Sequence, residues 1–271
     1  MPTLSYTQVT AHGRSPARWM LVLHGLLGRG SNWRTLTRAL LEARPDWGAA
    51  LVDLRMHGAS SGFPPPHTVE AAALDLDAVA GALPGPVEAV LGHSLGGKVA
   101  LAWAARRQGL SHAVLLDTNP GPRPAGRSSE TTQAVLSLLR TLPGVWPSRE
   151  DFVAEVEAKG ESASMARWLA MNLIREGNGF ALSVDLEAME SLLADVFRRD
   201  DWGLLESPPE GLHLHFILGG RSTTVQGEAL TRLERLAAAG HLSLSVLPEA
   251  GHWVQVDDPE GTLRAVVEAL A

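Results

Sequence analysis

The most informative local pattern in this chain is Val90-Leu-Gly-His-Ser94-Leu-Gly-Gly97. It places Ser94 between glycines that lie two residues away on either side. An apolar run at residues 89–91 precedes the serine, and a helix-favouring run at residues 99–105 follows it. This pattern predicts a sharp turn from a strand into a helix, which strains the serine backbone and exposes its hydroxyl. Ser94 is therefore a candidate nucleophile, and the alternative is a glycine-rich turn with a serine helix cap.

Short aliphatic runs bounded by Gly, Asp or Pro recur on both sides of this motif. They predict strands at residues 18–24, 49–54, 87–92, 112–117, 212–218 and 242–247. Helices are predicted at residues 32–43, 68–83, 95–108, 228–239 and 259–270. Continuous apolar runs are typical of strands that are buried on both faces. Alternation with helices therefore predicts an α/β fold, with a mostly parallel sheet covered by helices on both sides.

The alternation stops after Asp117. Residues 118–126 contain three prolines and two glycines, a composition typical of a loop or hinge. Helices are predicted beyond it at residues 130–141, 148–158, 162–175 and 185–198, with no convincing strand between them. This block is too long for one crossover. We therefore predict a core domain of residues 1–117 and 201–271, and a helical cap of residues 118–200 inserted into it.

Composition excludes several classes of protein. The 271 residues include no cysteine, which rules out disulfide scaffolds, thiolate metal sites and cysteine nucleophiles. The 23 Lys and Arg residues against 30 Asp and Glu residues give a net charge of −7, which disfavours nucleic-acid binding. The longest apolar run, at residues 99–105, is far shorter than a membrane span, and no secretory signal is visible. The expected compartment is therefore the cytoplasm.

A serine hydroxyl needs a base to take its proton, and His252 is the best-placed histidine. It lies in a loop, Pro248-Glu-Ala-Gly-His-Trp253, between the last predicted strand and the last helix. The alternative is a surface-loop histidine without a catalytic role. His93 would project away from the serine. His213 and His215 alternate within a strand and could face one way like metal ligands, but without a third ligand a structural role is favoured.

The acid that orients the histidine is harder to locate. The loop after the strand at residues 212–218 is Gly219-Gly-Arg-Ser-Thr-Thr-Val225, and it contains no carboxylate. Asp117 ends the preceding strand, at the same edge of the sheet and one strand beyond the nucleophile. The order Ser94, Asp117, His252 agrees with that of hydrolases built on this type of turn. Asp53 also ends a strand but would lie on the other side of Ser94, so Asp117 is the predicted acid.

Backbone donors for an oxyanion are predicted at two positions. The glycines of His24-Gly-Leu-Leu-Gly28 allow the N–H of Leu26 to turn toward the serine. The N–H of Leu95 lies at the positive end of the helix that follows Ser94. Together these two N–H groups would form an oxyanion hole.

The set of motifs resembles the α/β-hydrolase superfamily, over almost the whole chain outside the cap. The segments that carry the resemblance are residues 23–28, 53–60, 92–99, 115–117 and 251–254. These segments are similar to those of small bacterial esterases and their mitochondrial relatives. In that group the catalytic acid follows the strand that the family numbers as its sixth. In that group the loop after strand seven commonly keeps Gly-Gly-x-Ser without an aspartate, as Gly219-Gly-Arg-Ser222 does. The resemblance strengthens the assignment of Asp117, whereas the cap has no recognised match.

These observations predict a serine hydrolase that cleaves esters or thioesters of small to medium apolar acyl groups. The substrate-binding candidates are Trp146, Trp168, Met171 and Trp253, although the cap residues among them could equally form the cap's own core. One alternative is carbon–carbon bond hydrolysis, or a lyase step of the menaquinone-pathway type, on the same three residues. Another is a catalytically silent binding protein. The sequence implies no metal and no cofactor, and the expected partner is a small-molecule substrate.

Overall fold

Two sheets and eleven α-helices make up the part of the chain that the structure describes. The computed structural model describes residues 2–123 and 127–271. The strands are β1 (Tyr6–Thr10), β2 (Arg18–Leu23), β3 (Trp47–Val52), β4 (Val87–His93), β5 (His112–Leu116), β6 (Val145–Trp146), β7 (Leu173–Glu176), β8 (Gly179–Leu182), β9 (His213–Gly219) and β10 (Ser243–Leu247). The helices are α1 (Arg34–Ala43), α2 (Val69–Ala82), α3 (Leu95–Ala104), α4 (Arg127–Arg140), α5 (Arg149–Ala158), α6 (Ala163–Ala170), α7 (Leu186–Arg198), α8 (Trp202–Glu206), α9 (Glu228–Ala238), α10 (Val254–Asp257) and α11 (Pro259–Ala269), and a 3₁₀ turn (Gly30–Trp33) precedes α1.

The larger sheet has the strand order β1-β3-β2-β4-β5-β9-β10. Strand β1 pairs with β3 in the antiparallel direction, and the other neighbouring pairs are parallel. Strand β4 is therefore central, and the loops that follow β2, β4, β5 and β9 meet at one edge. The predicted α/β class with a mostly parallel sheet is confirmed.

Both faces of this sheet are buried, because apolar residues occupy successive positions of the central strands. In β2, Leu21 and Leu23 belong to the hydrophobic cluster that includes α2 and α3. Met20 and Val22, on the opposite face, pack in the cluster that includes α1 and α11. Alternate side chains of a strand point to opposite faces, so a continuous apolar run covers both.

The segment between β5 and α8 contains a second sheet, which corrects the expectation of helices alone. Strands β6, β8 and β7 form a three-stranded antiparallel sheet beside α4 to α7. A separate hydrophobic cluster joins these elements, with Phe152, Leu169, Met189 and Leu192 among its buried members. We call the elements α4 to α7, with β6 to β8, the cap. Residues 124–126 of the predicted proline-rich hinge lie outside the described residues.

The hairpin β7–β8 is the clearest error in the predicted elements, since a helix was expected over residues 162–175. Helix α6 ends at Ala170, and β7 pairs with β8 from Leu173↔Leu182 to Glu176↔Gly179. Two residues, Gly177 and Asn178, make the turn, and Gly177 has a φ of 55°. A Gly-Asn pair between short apolar runs is a hairpin signal, and the helical pattern before it obscured this signal.

The remaining differences between prediction and structure are two short elements and the end of one helix. Strand β1 and the short helix α8 were not predicted, and α3 ends at Ala104 rather than residue 108. Strand β1 is an exposed edge strand of five residues, so it lacks the continuous apolar run that marks the central strands. None of the helices within the described residues is long and apolar enough to cross a membrane.

One buried lysine ties both connections of the cap to the core. Lys98 lies in α3, and its side chain is 2% exposed. Its Nζ donates to the carbonyl oxygens of Pro120 (2.8 Å), Gly121 (3.1 Å) and Arg199 (2.8 Å), and it pairs with Asp201 Oδ2 at 3.2 Å. Burial lowers the pKa of Lys98 to about 8, although Asp201 acts in the opposite direction. The ammonium group therefore joins the chain entering the cap to the chain leaving it.

We expect Lys98→Met to lower the free energy of unfolding by about 3–5 kcal/mol, because it leaves buried acceptors without a donor. Urea denaturation followed by circular dichroism measures this loss. The matched control is Arg106→Met, which removes an exposed pair with Glu70 and should cost about 1 kcal/mol or less. Equal, small losses in the two variants would contradict the role given to Lys98.

Candidate active site

Ser94 lies at a strained turn between β4 and α3. Its φ is 53° and its ψ is −113°, in the left-handed half of the map that side chains rarely adopt. A Cβ atom at Gly92 would lie 2.2 Å from the carbonyl oxygen of Gly96, and one at Gly96 would lie 2.5 Å from that of Leu23. Only glycine fits at both positions, as the motif predicts. The backbone N–H of Ser94 donates to Leu116 O at 3.1 Å, which fixes the turn against β5.

Asp117 and His252 meet at the carboxyl edge of the sheet. His252 Nδ1 lies 2.6 Å from Asp117 Oδ2, although 135 residues separate them in the chain. Asp117 directly follows β5, the neighbour of β4, whereas His252 lies in the loop after the edge strand β10. The sheet thus brings the predicted acid and the predicted base into direct contact.

The carboxylate of Asp117 is fully buried and accepts several hydrogen bonds. Burial alone would raise the pKa of Asp117. The hydrogen bond and the electrostatic interaction with His252 outweigh this effect, together with donation from Ser222 Oγ and Gly219 N–H, and they hold the pKa of Asp117 below its ordinary value. Asp117 is therefore ionised at neutral pH, and its carboxylate accepts a hydrogen bond from His252 Nδ1–H.

His93 braces the loop that carries His252. Its Nε2 donates to the carbonyl oxygen of His252 at 2.8 Å, and the two rings lie 4.7 Å apart. Burial lowers the pKa of His93 to about 3, so this ring is neutral. Sequence reasoning assigned His93 no role at the site, and the sequence contained no signal for this supporting contact.

Ser94 is partly exposed, and its hydroxyl is not hydrogen-bonded to any side chain within residues 2–123 and 127–271. His252 is 40% exposed at its side chain, so both groups are accessible at the same edge. Catalytic hydrogen bonds between a nucleophile and its base often tighten only when substrate binds.

The loop that carries Leu26 lies against the nucleophile. A Cβ atom at Gly25 would lie 3.5 Å from Ser94 Cβ and 3.0 Å from His93 Nδ1. The cap holds the same loop, because Asn172 Nδ2 donates to Leu27 O at 2.9 Å and Leu27 packs in the cap cluster. Leu95 is the first residue of α3, where a backbone N–H has no partner within the helix. Leu26 therefore belongs to a loop that contacts Ser94, and Leu95 follows Ser94 directly.

The other acidic and histidine residues considered for the site make different contacts in the structure. Asp53 accepts from the backbone N–H groups of Gly30 (2.7 Å) and Ala59 (2.9 Å), which secures two loops. His112 and His215 lie at the opposite edge, with His112 Nδ1 3.3 Å from His215 Nε2. In the part of the chain that is described, no group of three or more potential ligands has the geometry of a metal site.

Three of the four substrate-binding candidates lie where the cap faces the core. The rings of Trp168, in the cap, and Trp253, beside His252, are 5.5 Å apart. Met171 is 38% exposed, and its Sδ accepts from Asn32 Nδ2 at 3.3 Å. Trp146 differs, because it is 4% exposed within the cap cluster, where its indole N–H donates to Glu155. Trp146 is therefore a cap-core residue, and its assignment to substrate binding is corrected.

Sequence reasoning missed the hydroxyl groups of the loop after β9. Ser222 Oγ donates to Asp117 Oδ2 at 2.5 Å, and Thr224 Oγ1 lies 3.0 Å from His252 Nδ1. The sequence contained one signal for these residues, namely that the loop after β9 lies at this edge of the sheet and has no carboxylate. Its serine and threonine residues contact the acid and the base instead.

Comparisons with known proteins agree with this architecture. Residues 20–265 match the model of a family described as "Alpha/beta hydrolase family". The chain is 30% identical to the mouse (Mus musculus) protein named sn-1-specific diacylglycerol lipase ABHD11, over 99% of this chain and 85% of that protein. It is 26% identical to a Klebsiella pneumoniae protein named 2-succinyl-6-hydroxy-2,4-cyclohexadiene-1-carboxylate synthase, over 96% of each chain.

A solved structure described as "Marine microorganism esterase" superposes with a TM-score of 0.83 at 20% identity, over 99% of each chain. This likeness concerns the fold alone. The family match covers most of the chain, from β2 to α11. Together with the strained turn at Ser94 and the sheet around it, these findings show that the chain belongs to the alpha/beta hydrolase family.

Proposed function

We propose that this protein is a serine hydrolase that cleaves carboxylic esters or thioesters through an acyl-enzyme. The observation that carries the proposal is the 2.6 Å contact between His252 Nδ1 and Asp117 Oδ2, at the same edge as the strained Ser94. A serine, a histidine and a buried carboxylate in this arrangement form the machinery of acyl transfer. The lipase name of the mouse relative is in agreement.

The proposed reaction has two halves. His252 Nε2 takes the proton of Ser94 Oγ as this oxygen attacks the substrate carbonyl, and the N–H groups of Leu26 and Leu95 bind the oxyanion. His252 then gives the proton to the departing alcohol or thiol, which leaves Ser94 acylated. Water attacks the acyl group with His252 as base, and the acid and free Ser94 are released. Asp117 orients the ring and stabilises the imidazolium in both halves.

A cap of residues 118–200 on a core of residues 1–117 and 201–271 would cover this site. Support comes from the separate hydrophobic cluster of the cap and from Lys98, which joins both connections. Trp168, Met171 and Trp253 would contact the acyl group. Trp168 packs against Trp253, the neighbour of His252, and Met171 contacts Asn32 of the core. Apolar side chains at such a boundary favour a small to medium apolar acyl chain. A small-molecule substrate is proposed rather than a nucleic acid, because the net charge of −7 disfavours binding to phosphates.

A second candidate reaction uses the same residues. The Klebsiella relative, named as a synthase, aligns over 96% of this chain, and one fold can host several chemistries. Carbon–carbon bond hydrolysis or a lyase step is therefore the alternative. Turnover of such substrates without any turnover of esters would favour it. A silent binding protein would show neither activity.

We expect a fluorophosphonate probe to label Ser94, and Ser94→Ala to lose labelling and at least about 1,000-fold of kcat on a short p-nitrophenyl ester. The loss follows from removing the attacking oxygen. Ser111→Ala, at the opposite edge of the sheet, is the control and should behave like the unmodified protein. Full ester cleavage by Ser94→Ala would disprove the assignment.

We expect Asp117→Asn to lower kcat by about 1,000- to 10,000-fold, because an amide no longer stabilises the imidazolium or selects its tautomer. Asp53→Asn should leave the chemistry largely intact, since Asp53 binds only backbone N–H groups. Steady-state kinetics measure the rates, and thermal melting verifies that both variants fold. The opposite order of the two effects would exclude Asp117 as the acid.

We expect kcat/KM to rise by about fourfold per added methylene along a short series of p-nitrophenyl esters, because each methylene would be buried beside Trp168. Trp168→Ala should flatten this dependence. Trp146→Phe, in the cap core, is the control and should keep the slope. A flat profile in the unmodified protein would rule out an apolar acyl pocket.

A further inference from the structure

We propose that Ser222 and Thr224 are positioning residues that hold Asp117 and His252 in a closed ring of hydrogen bonds. Thr224 Oγ1 supplies the second acceptor for the Nδ1–H of His252. The inference rests on the proposed function, because it assigns these hydroxyl groups a role in the chemistry of Ser94.

The direction of each hydrogen bond follows from the ionised carboxylate. Asp117 can only accept, so the proton between Asp117 Oδ2 and His252 Nδ1 resides on the nitrogen. Thr224 Oγ1 lies 3.0 Å from the same nitrogen and therefore accepts from the same N–H. The proton is shared between a carboxylate oxygen at 2.6 Å and a hydroxyl oxygen at 3.0 Å.

Ser222 closes the ring. Its Oγ–H donates to Asp117 Oδ2 at 2.5 Å, and its oxygen accepts the backbone N–H of Thr224 at 3.1 Å. The ring therefore runs from Thr224 N–H through Ser222 and Asp117 to His252, and returns to Thr224 through Oγ1. Ser222 is 7% exposed and Thr224 is 9% exposed, so water has little access to these bonds.

This ring restricts His252 in two ways. Two acceptors at Nδ1 keep the proton on that nitrogen, so the lone pair of Nε2 remains available to the proton of Ser94. They also stop the imidazole from turning away from its partners, since rotation would break both contacts. When His252 becomes an imidazolium, Thr224 Oγ1 supports the charged N–H. The hydroxyl therefore acts in the reaction step rather than in substrate binding.

The test compares Thr224→Val, which keeps the shape and removes the hydroxyl, with Thr224→Ser, which keeps the hydroxyl. Thr223→Val is the matched control, because Thr223 is the exposed neighbour in the same loop. Ser222→Ala breaks the ring at a second point. It tests the same inference if Thr224→Val does not fold. Two measurements are made: kcat and KM on a short p-nitrophenyl ester, and the imidazole proton and nitrogen resonances of His252 in the free protein.

We expect Thr224→Val and Ser222→Ala to lower kcat by at least about tenfold with little change in KM, since the first removes one hydrogen bond of the ring and the second removes two. The Nδ1–H resonance of His252 should move upfield and exchange faster with water in both variants. Thr224→Ser should restore the rate and the resonance, and Thr223→Val should alter neither. An unchanged kcat and resonance in Thr224→Val, or equal losses in Thr224→Ser, would overturn the inference.

The two measurements separate this inference from the proposed function. Absence of ester cleavage together with absence of Ser94 labelling would reject the hydrolase proposal. The resonance of His252 needs no substrate, so the comparison between Thr224→Val and Thr223→Val still decides whether the ring exists.

Discussion

The close crossing of α3 over β2 and β4 is the constraint on which the candidate site depends. A side chain at Gly92 would meet the carbonyl oxygen of Gly96, and a side chain at Gly96 would meet that of Leu23. Because the backbones lie so near one another, the chain must reverse at Ser94, which takes a φ of 53°. Such strain costs about 1–3 kcal/mol and persists only where surrounding packing enforces it. The ten residues of α3 are all buried, and they supply that packing.

The same helix also connects the core to the cap. Lys98 follows Ser94 by about one turn, and its ammonium group binds backbone oxygens on both connections of the cap. On the other side of the serine, Asn172 of the cap holds Leu27 in the loop of the candidate oxyanion donor Leu26. The cap and its connections are therefore hydrogen-bonded both to α3 and to the loop that carries Leu26.

Local patterns were sufficient to predict the central strands and most helices, because burial on two faces leaves continuous apolar runs. They were also sufficient to predict the turn at Ser94, since the spacing of the two glycines reflects the close crossing of α3 over β2 and β4. The hairpin β7–β8 was missed because four-residue strands beside α6 contain too few positions to show a period of two. Strand β1 was missed for a related reason, since an edge strand lacks a buried run.

Patterns along the chain are enough to predict the α/β class, the turn at Ser94, and the candidates Asp117 and His252. Each of these depends on residue type at a short spacing or at the end of a strand. The contact between the acid and the histidine becomes visible in the folded sheet. The 2.6 Å contact joins residues 135 positions apart, and it exists because parallel strands bring their carboxyl ends to one edge. Tertiary structure also decided the roles of Lys98 and Thr224. Their partners come from distant segments, and no pattern along the chain records such contacts.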